Sequence, residues 1–233
     1  MLTRLSEVQA LDLQIDALET ERGQVPQELT DLVARVADLE ARLERKRQEV
    51  DDLRRRVNAS ELELKAMSER RKSAADSAMR AASAKEAAQY QNQELQFATR
   101  VQELEEDTLP MLEQLDRLTA EHDELKAELD GLTPVLADMR RQEEERVAAV
   151  DAKIAGARAQ RDELAAGVDT PLLKQYEQVR AARRGLALVA VVNNQSCGGC
   201  NVKLPIHVVQ KVKRGEGVTR CPSCGRILWS GER

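Results

Sequence analysis

Aromatic side chains are nearly absent from this chain, with one Trp, two Tyr and one Phe among 233 residues. Large globular cores are built around such rings, so a single large core is excluded. Long apolar runs are missing as well. No stretch approaches the roughly 20 residues that span a bilayer, and the start, "MLTRLSEVQALDLQ", has no apolar segment of the kind that follows a basic secretory start. A cytoplasmic protein with no membrane partner is the expectation. The chain also lacks a phosphate-cradling glycine loop and any nucleophile–base set, so neither an enzyme nor a small-molecule substrate is expected.

What is present is charge, unevenly divided. Residues 170–233 carry eleven Lys/Arg against Glu177, Glu216 and Glu232, a net +8, which leaves −13 on the first 169 residues. An acidic body therefore carries a basic head, a division that the whole-chain pI hides.

The acidic body has a 3.5-residue rhythm. Alternate steps of three and four from Leu29 reach Met67 and land on apolar residues except at Lys46 and Ser60; the same walk from Val101 to Met139 is broken only by Thr108 and His122. Such a period is the mark of a coiled-coil seam. Between the two seams, residues 73–95 turn to Ala, Ser and Gln. A reversal fits best at 80–86, where Ser83 can cap a new helix and Glu86 stands in the capping-box position. Residues 1–169 thus read as an antiparallel helical hairpin folding back near residue 82, with Leu53 opposite Leu112 and breaks near Pro26 and Pro134. Pro110 only bends its helix. A lone seam histidine such as His122 reads as a packing or register residue.

The basic head, residues 170–233, holds all four cysteines as two pairs, Cys197-x2-Cys200 and Cys221-x2-Cys224, with twenty residues between them. A single such pair could be a redox dithiol, but two pairs at this spacing fit a zinc ribbon better. Gly198, Gly199 and Gly225 let the backbone curl toward the metal. Four thiolates fill a tetrahedron around one Zn²⁺ and leave no open position, so the ion would be structural and His207 is not needed as a ligand. Residues 186–192 and 226–229 read as strands. Residues 170–185 and 205–217 read as helices, each with proline near its start and glycine at its end. A head of this size has little core of its own, so metal should supply much of its folding free energy. The fold class is mostly α, a long coiled-coil hairpin followed by a small α+β four-cysteine ribbon.

The string "LLKQYEQVRAARRGLALVAVVNNQSCGGCNVKLP", followed by "CPSCGRILW", resembles the C-terminal half of the bacterial four-cysteine zinc ribbon proteins that carry an N-terminal helical hairpin. The resemblance implies a nucleic-acid-binding or transcription-linked adaptor with no catalytic role. Nucleic acid, RNA or DNA, would meet the head at Arg183, Arg184, Lys203, Lys211, Lys213, Arg214, Arg220 and Arg226, because Lys and Arg neutralise phosphates. A protein partner, of the transcription machinery on this reading, would meet the hairpin. The alternative is a protein-binding scaffold or chaperone that uses the hairpin and its basic tip, where Arg70, Arg71, Lys72, Arg80 and Lys85 face only Asp76. The same charge argues against a hairpin that delivers carboxylates to hold Mg²⁺.

Overall fold

The computed structural model describes residues 1–193, 195–215 and 217–231. Asn194 of the quoted string, and Glu216, Glu232 and Arg233 of the charge count, lie outside the described residues. Helix α1 (Leu2–Gly23) leads into α2 (Gln27–Arg80) and α3 (Ala84–Ala166), and then α4 (Thr170–Ala182) and β1 (Leu188–Val192). The remainder is β2 (Ser196–Cys197), α5 (Ile206–Arg214), β3 (Thr219–Arg220) and β4 (Ile227–Trp229). No helix among the described residues is long and apolar enough to cross a membrane. Two compact units emerge, Gln27–Met139 and the combination of Met1–Pro26 with Arg140–Arg233.

Within Gln27–Met139 the chain reverses where the capping residues direct it. The Glu86 N–H donates to Ser83 Oγ at 3.2 Å, and Glu86 Oε2 accepts from the Ala82 N–H at 3.1 Å. The reciprocal bond reaches one residue earlier than in the standard capping box, but it still satisfies a free N–H at the helix start. Antiparallel pairing follows from the cross-helix contacts: Arg100 Nη2 to Glu63 at 2.8 Å, Lys46 Nζ to Glu121 at 3.0 Å and Arg35 Nη2 to Glu128 at 2.5 Å. The Arg100–Glu63 and Arg35–Glu128 pairs are solvent-exposed and contribute little energy each; Lys46 is half-buried. The seam itself does more. Leu29, Val36 and Leu136 are buried together, with Leu32, Leu129, Leu132 and Met139 packed around them.

The polar interruptions of the seam meet one another. Ser60 Oγ lies 2.5 Å from Thr108 Oγ1, which also donates to the Leu104 carbonyl. Fourteen residues further from the turn on each helix, the same register brings Lys46 level with His122. His122 is mostly buried and its Nδ1 lies 3.0 Å from the Asp123 carboxylate, while Lys46 is held between Glu49 and Glu121. A polar residue opposite an apolar one would cost a desolvated group, so matched polar layers disfavour a slip along the seam. This register sets Leu115, one turn beyond the expected Leu112, opposite Leu53.

The expected break at Pro26 is present, since α1 ends at Gly23 and α2 begins at Gln27. The expected break at Pro134 is not: α3 runs through both Pro110 and Pro134. A helical proline costs about 3 kcal/mol. Burial of Leu136, with Leu129, Leu132 and Met139 partly buried around it, offsets this, since a large side chain contributes about 1.5–3 kcal/mol when fully buried and proportionately less when partly so. At Pro26 the freed carbonyls have a partner instead. The Arg146 guanidinium donates to the carbonyls of Glu21 at 3.0 Å and Gln24 at 2.8 Å, closing the C-terminal end of α1.

In the unit containing the head, α1 runs antiparallel to the last part of α3, with Ile15 against Val150, Ile154 and Ala157. Its first half packs on the ribbon. Leu5 and Val8 share one core with Ala165 and Val168 of the α3–α4 segment, Leu172, Tyr176 and Val179 of α4, Leu188 of β1 and Ile227 of β4. The sheet has the order β2-β1-β4-β3, with β1 and β4 parallel and both outer pairs antiparallel. Gln9 fastens α1 to it. Its Oε1 accepts from the N–H groups of Ala187 and Leu188 at 2.8 and 2.6 Å, and its Nε2 donates to the Leu188 carbonyl at 2.8 Å. Asp12, 3% exposed, accepts the Tyr176 hydroxyl at 2.6 Å and Arg161 Nε at 3.1 Å. Burial and the Asp12 carboxylate keep the Tyr176 phenol protonated far above its usual range.

Two outcomes are expected. Cysteines replacing Leu53 and Leu115, with the native four occupied by zinc, should crosslink within one chain; bridges found only between chains would replace the hairpin with an extended dimer. Asp12→Ala should destabilise the protein by about 3 kcal/mol or more in chemical denaturation, because it strands buried Arg161 and Tyr176 donors. A change within experimental error would show that the buried carboxylate does not hold α1 in place.

Candidate metal centre

The first cysteine pair hangs from the β1–β2 hairpin, where Val191 pairs with Cys197. The Cys197 N–H donates to the Val202 carbonyl at 3.0 Å, and the Asn201 N–H returns to the Cys197 carbonyl at 2.8 Å. The second pair repeats the turn just before β4. There the Gly225 N–H donates to the Cys221 carbonyl at 2.8 Å, and the Cys221 N–H donates to the Arg226 carbonyl at 2.8 Å. In each knuckle the residue after the second cysteine takes a left-handed conformation, Asn201 with φ 57° and Gly225 with φ 74°. Glycine is the obvious sign of that conformation, and asparagine adopts it more readily than most other residues; the sequence reading missed Asn201. Gly198 is required for a different reason. A Cβ there would lie 2.7 Å from the Ala190 carbonyl oxygen.

The two turns bring the four sulfurs within 4.8 Å of one another. Cys197 and Cys224 Sγ are 3.8 Å apart, as are Cys200 and Cys221 Sγ. A tetrahedron with Zn–S bonds of about 2.3 Å has edges of about 3.8 Å, so the spacing fits one zinc ion held by four thiolates. This is the one such cluster among the described residues. Burial pushes the Cys197 thiol up to about 12 in the metal-free site. Burial opposes ionisation of Cys224 too, but hydrogen bonds from the Arg226 backbone and side chain, together with Cys200 and Cys221, bring it to about 6. Metal binding must therefore displace protons from buried thiols.

Arg226 links the centre to its surroundings. Its Nε donates to the Leu186 carbonyl at 2.8 Å, and its other nitrogens reach the carbonyls of Gly199 at 3.5 Å and Arg183 at 3.4 Å. This half-buried guanidinium is engaged by backbone carbonyls and by Cys224. The other basic candidates are exposed. Lys211, Lys213 and Arg214 form the last turn of α5, Lys203 precedes that helix, and Arg220 is exposed with one nitrogen 3.3 Å from Gln175 Oε1. Arg183 and Arg184 stand in the turn after α4, Arg184 with φ 53°. Gly215, with φ 70°, ends α5 in the left-handed conformation, which glycine adopts without steric cost. His207 is exposed on the first turn of α5 and is not one of the clustered ligands.

The fold and the cysteine cluster together define a helical-hairpin protein with a C4-type zinc ribbon. The chain belongs to the CT398-like coiled coil hairpin domain family, whose pattern covers residues 8–184, and residues 196–228 match a C4-type zinc ribbon domain. Its fold is similar to that of CT398 from Chlamydia trachomatis, with 18% identity, a TM-score of 0.83 and coverage of 99% of this chain and 97% of that one. A structure from Mycobacterium smegmatis is similar at 23% identity and a TM-score of 0.85, covering 98% and 97% of the two chains. The HP0958 protein from Helicobacter pylori matches at 20% identity and a TM-score of 0.56, covering 100% and 98%. No curated protein matches the chain.

Elemental analysis of protein purified without added metal should give one zinc per chain, and acidification should release it as protons compete for the thiolates. Cys221→Ser should lose the ion and the near-ultraviolet signal of Trp229, while circular dichroism still reports most of the helix. Zinc-free protein with an intact Trp229 environment would remove the metal from the account of the fold.

Proposed function

We propose that the protein is a non-catalytic adaptor whose zinc head contacts the phosphates of nucleic acid while the helical hairpin engages a protein partner, in transcription or RNA metabolism. One observation carries this reading. Lys203 and Lys213 border the same groove on the head, alongside Gln195, Ile206 and Gln210, and Lys211 and Arg214 extend the basic surface along the same helix. Val209, which lines the same groove, and Val212 are buried in the core beneath α5, so these cations sit on a rigid support. Phosphates are recognised by such exposed Lys and Arg without regard to sequence. The +8 charge of residues 170–233 favours approach of a polyanion despite the acidic remainder of the chain.

A second reading has its own observation. Arg70, Arg71, Lys72, Arg80 and Lys85 are all exposed around the hairpin turn, and Met79 among them is 85% exposed. An exposed methionine in the same turn region as these cations suits a protein surface that offers carboxylates and an apolar recess.

The test uses the full zinc-loaded chain, since the head shares its core with α1. Binding to a generic single-stranded or duplex oligonucleotide should weaken linearly as the logarithm of salt concentration rises. Lys211→Ala with Lys213→Ala should reduce that slope by about two and weaken all sequences alike. Absence of binding at low salt would overturn the nucleic-acid reading and leave the tip as the surface to test.

A further inference from the structure

The four cysteines are not equivalent. Cys197, Cys221 and Cys224 are buried, at 0%, 2% and 7% exposure, whereas Cys200 is only half-buried. The backbone explains the difference. Cys197 lies in β2, whereas Cys200 follows the Gly198–Gly199 turn outside any strand. Cys197 receives the N–H groups of Gly199 and Cys200, and Cys224 receives that of Arg226. Such bonds withdraw electron density from a thiolate and reduce its reactivity, while zinc coordination keeps all four sulfurs deprotonated. The neighbour across the cluster from Cys200 is Cys221, with 3.8 Å between the two sulfurs. A disulfide needs about 2.05 Å, so roughly 1.8 Å of approach would join them.

We propose that Cys200 is an oxidation site of the head, the first cysteine to react with a hydroperoxide, and that Cys221 resolves it as a Cys200–Cys221 disulfide. The Cys200 thiolate attacks one peroxide oxygen, the O–O bond breaks, and the departing oxygen takes a proton from water, leaving a sulfenic acid on Cys200. The Cys221 thiolate then attacks that sulfur, the S–S bond forms, and hydroxide leaves and is protonated. Two electrons pass from the thiolate pair to the peroxide. The cluster is left with two donors, Cys197 and Cys224, too few to close a tetrahedral site. A thiol reductant returns both ligands. This inference does not depend on what the head binds.

The experiment treats the zinc-loaded full chain with hydrogen peroxide in the presence of a chromophoric zinc chelator, then blocks free thiols and maps peptides by mass spectrometry. Zinc release should keep pace with the appearance of the Cys200–Cys221 cross-linked peptide, and dithiothreitol should reverse both. In a parallel sample without peroxide, N-ethylmaleimide below one equivalent should label Cys200 about tenfold more than any other cysteine, following thiolate exposure. A Cys197–Cys224 or Cys197–Cys200 bridge would overturn the proposal. So would even labelling of the four cysteines, irreversible oxidation with no bridge, or no reaction with peroxide.

Discussion

A single buried carboxylate organises the half of the protein that carries the metal centre. Asp12 of α1 is met by the Tyr176 hydroxyl from α4 and by Arg161 from α3, while Arg180 lies close by and turns its other nitrogen to Asp16. An ion in that position is tolerated only when its partners are fixed, because desolvation costs several kcal/mol per charge. Three helices must therefore arrive in one geometry or leave a charge unpaired. Three residues earlier, Gln9 repeats the logic with the backbone of β1, where its amide satisfies two N–H groups and a carbonyl at the sheet's start.

That arrangement addresses the weakness of a small ribbon. A domain of some sixty residues buries too little apolar surface to be stable alone, and here the deficit is met from two directions. The metal centre ties both knuckles to one point. From the other side, Leu5 and Val8 of α1 complete a core that otherwise consists of one face of α4 and a few residues of a short sheet. Arg226 joins the two parts, since its backbone forms the second knuckle and its guanidinium holds carbonyls from the first knuckle and the α4–β1 turn. The basic helix α5 is thereby presented from a rigid frame.

The hairpin is governed by a different balance. Its apolar seam gives cohesion but little choice of register, because every seven-residue slip restores an apolar match. The pairing of Ser60 with Thr108 supplies the missing specificity, for a slip would set each hydroxyl against a side chain unable to bond it. The prolines show how far packing can override local preference. Pro134 sits inside α3 because Leu136 is buried and Leu129, Leu132 and Met139 pack around it against the opposing helix, whereas at Pro26 the chain leaves the helix and Arg146 takes up the carbonyls.

Sequence alone determined the parts whose signals are local. The seam period, the Ser83–Glu86 cap and the cysteine spacing each depend on residues within a few turns of one another, and so does the proline–glycine punctuation of α5. Each identified its element. The four-cysteine cluster was legible for the same reason, since two C-x2-C turns present their sulfurs whatever else the chain does. Tertiary structure alone decided what depends on residues far apart in the chain. Gln9 and Asp12 read as ordinary polar positions of a helix until Leu188 and Tyr176, more than 160 residues away, are brought against them. Arg226 reads as one more surface cation until three carbonyls surround it. The helix through Pro134 reflects a packing energy summed over the opposing helix, and the shift from Leu112 to Leu115 reflects the register that Ser60 and Thr108 set across the seam.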